Sequence, residues 1–125
     1  MQAQKSTVHG TVPLSLDELR SRADALFAAV DSSRRPVWNA SRTRLTYGES
    51  SGGITRTTVV CLMPNGNTTD FEITFTQTSA LPRLAGMQTV LDAMVKSGCR
   101  KLLALIGTEA TALRTGPSPR NVEIS

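Results

Sequence analysis

Aromatic side chains are scarce in this sequence: three Phe, one Tyr and one Trp in 125 residues. A core without them must be built from Val, Leu, Ile, Met and Ala, so apolar bulk per residue is low and a partner copy is expected to help bury it. Cysteine is nearly absent. Cys61 and Cys99 are too few and too unpatterned for a disulfide framework or a metal site, and read as buried free thiols. The one histidine, His9, has no acid or cysteine close in sequence. It reads as an exposed bystander, which leaves no Ser-His-Asp set. No apolar run approaches the roughly 20 residues of a membrane-spanning helix. The opening MQAQKSTVHG lacks the apolar segment of a secretory signal, so synthesis and use in a cytosol are expected. Ser51-Gly52-Gly53 lacks the Lys and the helix start of a phosphate-binding loop. Asp70 and Glu72 share one strand face, but read as ordinary wet-face polarity rather than as paired catalytic acids. The expectation is a non-enzyme without metal or cofactor.

The charge that is present is positive: +4 with a pI near 9.7, which favours a polyanionic partner. The most organised stretch runs from Thr69 to Ile106. Phe71, Ile73 and Phe75 alternate with Asp70, Glu72, Thr74 and Thr76, the period of a strand with one dry and one wet face. Leu84, Met87, Val90, Leu91, Met94 and Val95 then follow helical spacing up to a stop at Gly98, predicting a helix over about 82–97.

Taken in order, residues 1–13 read as a short extended arm of a single domain. Ser15 to Glu18 forms a capping box that opens a helix over 14–31, with Leu19, Ala23, Leu26, Phe27 and Val30 on one face. Ser32 to Pro36 ends it. Residues 40–78 read as a three-stranded meander: Arg42 to Tyr47, a flexible turn over Gly48–Gly53, Ile54 to Met63, a tight turn at Pro64–Asn67, and Thr68 to Gln77. Residues 80–113 hold the C-terminal helices, with an apolar segment at Leu102–Ile106 and one more helical turn over Thr108–Leu113. The tail, 114–125, is extended around Gly116, Pro117 and Pro119. The class is α+β with an antiparallel sheet.

The ordered set of strand, turn, strand, tight turn, strand and helix over about 40–106 resembles the coat proteins of single-stranded RNA bacteriophages, the levivirus type. Phe75-Thr76-Gln77-Thr78-Ser79 and the helix Val90-Leu91-Asp92-Ala93-Met94-Val95 carry the resemblance. The N-terminal third departs from it, with a capped helix where the family has a β-hairpin. The resemblance implies an obligate homodimer in which the helices of one chain pack on the sheet of its partner. It also implies an icosahedral shell around single-stranded genomic RNA, made in the bacterial host cytoplasm and located in the virion, with no membrane partner. One polar sheet face would meet RNA, including an operator hairpin bound for translational repression.

Residues read as sharing that face are Arg42, Arg44 and Thr46, then Arg56 and Thr58, then Thr68, Asp70, Glu72 and Thr74. Arg forks onto phosphate, and Thr hydroxyls both donate to and accept from unpaired bases. Val60 and Leu62 depart from the pattern, standing where polar or basic residues are expected. Further basic positions are Arg34, Arg35, Lys96, Arg100, Lys101 and Arg114. The competing reading is a double-stranded-RNA-binding module of α-β-β-β-α order. Such a module places lysines at the start of its last helix, where this chain has only Arg83.

Overall fold

The computed structural model describes residues 2–30, 35–79 and 86–119. In order, the elements are β1 (Gln2–Val12), α1 (Leu16–Ala28), β2 (Val37–Trp38), β3 (Arg44–Ser51), β4 (Ile54–Asn65), β5 (Thr68–Ser79), α2 (Met87–Ile106) and β6 (Thr111–Thr115). The strands form one six-stranded sheet in the order β2-β3-β4-β5-β1-β6, with every neighbouring pair antiparallel. The α+β class and the succession of three antiparallel strands are as expected, but β3 continues to Ser51, so the turn expected over Gly48–Gly53 is Gly52–Gly53 alone.

Both hairpins of the meander close on two residues. Gly52 and Gly53 take φ of +59° and +79°, and Gly66 takes +64°, backbone that glycine adopts without strain. Ser15 caps α1 by accepting from the Glu18 amide at 3.2 Å. Glu18 itself pairs with Arg22 at 2.9 Å. α1 ends at Ala28, short of the expected Asp31, and α2 begins at Met87, later than the expected 82; Arg34 and Arg83 lie outside the described residues.

Three expectations are corrected. The N-terminal arm is β1, which sits inside the sheet between β5 and β6 and pairs with β5 along its whole length. Val8 and Val12 are fully buried. The alternation was diluted because three inward positions of β1 are Gln4, Ser6 and Gly10. Two of them have a visible reason: Ser6 donates to Asp92 of α2 at 2.6 Å, and a side chain at Gly10 would come within 3.1 Å of the Phe71 ring.

The second correction is that α2 runs through Gly98 to Ile106. Leu91, Val95, Cys99, Leu103 and Ile106 keep one apolar stripe, which outweighs the roughly 1 kcal/mol cost of an interior glycine. The stop is Gly107, at φ +90°, whose amide reaches Leu103 O and Ala104 O. Third, residues 111–115 are not a helical turn but β6, an edge strand on β1.

Helices α1 and α2 lie on the same side of the sheet. The core joins Val8, Val12, Leu62, Phe71 and Ile73 of the strands to Leu19, Cys99 and Leu103 of the helices. So α2 packs on this chain's own β1 and β5, where the resemblance had implied the sheet of a partner. The cover is incomplete. A cavity of about 390 Å³ remains between α1, α2 and the β3–β4 half of the sheet, lined by Phe27, Trp38, Leu45, Val60, Leu102 and other apolar side chains. Val90, Met94 and Leu105 of α2 are exposed.

Candidate nucleic-acid interface

Among the described residues, neither helix lies on the second face of the sheet. Alternation and register give its composition. From β3 come Arg44, Thr46 and Ser50; from β4, Thr55, Thr57, Val59, Cys61 and Met63. From β5 come Thr68, Asp70, Glu72, Thr74, Thr76 and Thr78; from β1, Lys5, Thr7, His9 and Thr11; from β6, Arg114. One half of the face is therefore a field of hydroxyls. Thr7 and Thr74 hydroxyls sit 3.3 Å apart across β1 and β5.

The other half holds the charge. A row crosses five strands: Arg44, Cys61, Glu72, His9 and Arg114 are successive register partners. Both arginines are exposed. Glu72 is buried, and its Oε2 accepts from the Ser118 amide at 2.7 Å. His9 is half-buried rather than exposed, and its Nδ1–H donates to Gly116 O at 2.8 Å. Asp70 accepts from the Thr11 hydroxyl at 2.7 Å. Cys61 and His9 flank Glu72 on opposite sides, two strand spacings or about 9.5 Å apart, so the imidazole does not meet the thiol. Among the described residues no group of His, Cys, Asp and Glu forms a metal site. No helix among them is long and apolar enough to cross a membrane.

Six of the nine expected contact residues fall on this face: Arg44, Thr46, Thr68, Asp70, Glu72 and Thr74. Three do not. Arg56 and Thr58 point to the helix side. Arg56 donates to Gln77 Oε1 at 3.2 Å and approaches Glu49 at 4.0 Å, and Thr58 lines the apolar cavity. The reason is loop length: a two-residue turn pairs residues of opposite parity, as Ser51 with Ile54 and Arg44 with Cys61. Even positions of β3 and β5 thus share a face with odd positions of β4. The same parity accounts for Val60 and Leu62, which lie on the dry side. The signal for Thr55, Thr57 and Val59 was legible in Gly52-Gly53.

Arg42 is the third. It lies in the loop before β3 at φ +56°, and its guanidinium pairs with Asp24 of α1 and stacks 5.1 Å from the Trp38 ring centroid. The Trp38 indole N–H donates to the same carboxylate at 2.9 Å. These two donors, Trp38 first, hold the Asp24 carboxyl below its usual range. Lys5, Thr7 and Thr11 were missed, and Arg114 was noted only as a basic position, because β1 and β6 were not recognised as strands. Arg35 donates to Val30 O at 2.9 Å, at the end of α1 and away from the row. Burial pushes the Cys99 thiol up to about 11, as expected for a sulfur in the core.

Comparison with protein-family models, with curated proteins and with solved structures gave no match for this chain.

Proposed function

We propose that this chain is a structural coat protein of the single-stranded RNA bacteriophage type. It pairs as dimers, the dimers associate into an icosahedral shell in the virion, and the sheet face that neither helix covers lies toward the enclosed RNA. The carrying observation is the two-sidedness of the sheet. Both helices cover one face, while the other presents hydroxyls with exposed Arg44, Arg114 and Lys5. Its acids Asp70 and Glu72 accept hydrogen bonds from Thr11 and Ser118. Such a surface suits a flexible polyanion: cations for phosphates, and hydroxyls that can donate or accept at bases and 2′-OH groups.

The dimer has its own support. The cavity beside α2 is almost wholly apolar, and Val90, Met94 and Leu105 remain exposed next to a core short of aromatics. Burying these against a second copy would contribute about 25 cal/mol per Å² of apolar area. Closed assemblies of such dimers follow from repeated symmetric contacts. The duplex-RNA module loses support, because a strand inside the sheet precedes α1 and six strands replace three.

Expression of the full chain, followed by light scattering and electron microscopy, tests the reading. Uniform shells containing host RNA are the expected result. A stable monomer that binds duplex RNA would overturn it. For RNA binding, Arg44→Ala should flatten the dependence of affinity on salt by about one unit of slope. Arg56→Ala, on the helix side, should leave the slope unchanged. Equal effects of the two would count against the face assigned here.

A further inference from the structure

We propose that Gly116–Pro119 is a strap that shields the Glu72 carboxylate on the face that neither helix covers, so that the arginines dominate the row a polyanion meets. This rests on the RNA-facing role given above to that face. Beyond β6 the chain leaves the sheet edge at Gly116, whose φ is +117°, a value open to glycine. It is pinned there twice, by Gly116 N–H to Thr7 O at 2.7 Å and by His9 Nδ1–H to Gly116 O at 2.8 Å. It then crosses β1 toward β5. Pro117 and Pro119 have no N–H, so Ser118 carries the one amide donor of the Pro-Ser-Pro run. That donor goes to Glu72 Oε2 at 2.7 Å. Ser118 and Glu72 are 4% and 6% exposed, on a face where Thr46 and Arg44 are open to solvent.

The placement matters because of the row. Glu72 stands at its centre, with Arg44 two strands away on one side and Arg114 two strands away on the other. An uncovered carboxylate there would repel the phosphates that the arginines attract. An amide hydrogen bond to a carboxylate is charge-assisted and strong. The strap therefore hides the acid under backbone and supplies it with a donor. Proline on either side of Ser118 lowers the conformational freedom lost when the strap closes.

The test uses full-length variants. Ser118→Pro removes the Ser118 amide donor, Glu72→Gln removes the charge but keeps an acceptor oxygen, and a third chain carries both. Coupling of carboxylates to an amine with a water-soluble carbodiimide, read by peptide mass mapping, reports on Glu72 directly. Glu72 should resist coupling in the parent and react in Ser118→Pro. Equal reactivity in the two would overturn the strap. Retention of a short single-stranded RNA of random sequence at physiological salt reports the consequence. Ser118→Pro should weaken it by up to about 5-fold, the loss for one fully exposed charge, and the double variant should recover it. Tighter RNA binding by Ser118→Pro would mean that the strap competes with RNA, and would overturn the proposal. If no variant retains RNA while the coupling contrast holds, the RNA reading of the face fails and the strap stands. Circular dichroism on each variant checks that the fold is kept.

Discussion

On one side of the sheet, Val8, Val12, Leu62, Phe71 and Ile73 meet Leu19, Cys99 and Leu103 of the helices. On the other side, the same sheet carries Thr46, Thr55, Thr57, Thr74 and Thr76 with three exposed cations. The two sets alternate residue by residue, so a single backbone serves both. The first set supplies stability through area removed from water. The second adds little to stability and is free to be selected for what it contacts. The difference teaches where to look for function: on the face whose composition stability does not dictate.

The largest test of that contrast is truncation on each side. Phe71→Ala should cost about 3–5 kcal/mol in urea or thermal unfolding, as for a buried aromatic. Thr74→Ala, on the other face, should stay within about 0.5 kcal/mol. Similar losses would break the division of labour. Next in size are two identical substitutions with opposite signs. Gly10→Ala places a methyl 3.1 Å from the Phe71 ring and 3.3 Å from Thr111 O, and should destabilise by about 1–3 kcal/mol. Gly98→Ala, at an exposed position of α2, meets nothing within 4 Å, and should stabilise by about 0.5–1 kcal/mol. A stabilised Gly10 variant would mean that Phe71 is not seated as described.

The smallest effect concerns the loop that pins α1 beside the cavity. Asp24 is held below its usual carboxyl value, 3.8, by Trp38 and then Arg42. Its ionised form is thus favoured in the fold. That contribution is present above the unfolded value and is lost as pH falls through the lower folded one. The plot of Tm against pH should fall less steeply below about pH 4 in Asp24→Asn than in the parent. Parallel curves would show that the Asp24 contacts do not contribute.

Legibility followed local signal strength. β5 was readable because its alternation is unbroken from Thr69 to Thr76. The Ser15 cap and the Gly66–Asn67 turn were readable because each is a short-range device. β1 was not, because Gln4, Ser6 and Gly10 occupy inward positions, two of them for reasons that lie in distant residues: Asp92 for Ser6, and Phe71 for Gly10. Gly98 misled because local propensity lost to a stripe that continues to Ile106. Arg44, Thr46, Thr68, Asp70, Glu72 and Thr74 share one face as the alternation of β3 and β5 predicts, whereas the β4 positions were off by one. The two-residue Gly52-Gly53 loop held the information needed to avoid this slip. Arg42 was misread because its partners, Asp24 and Trp38, are brought together only by the packing of α1.

The sequence by itself determined the strand period, the hairpin lengths, the α1 cap and the basic charge, all of which depend on residues a few positions apart. The tertiary structure decided which side of the sheet the helices cover, since that is settled by burying one stripe against another. It also decided that the N-terminal segment lies inside the sheet. Finally, it brought Ser118 to Glu72 across 46 positions of chain, a pairing of one amide donor and one buried carboxylate that no local pattern encodes.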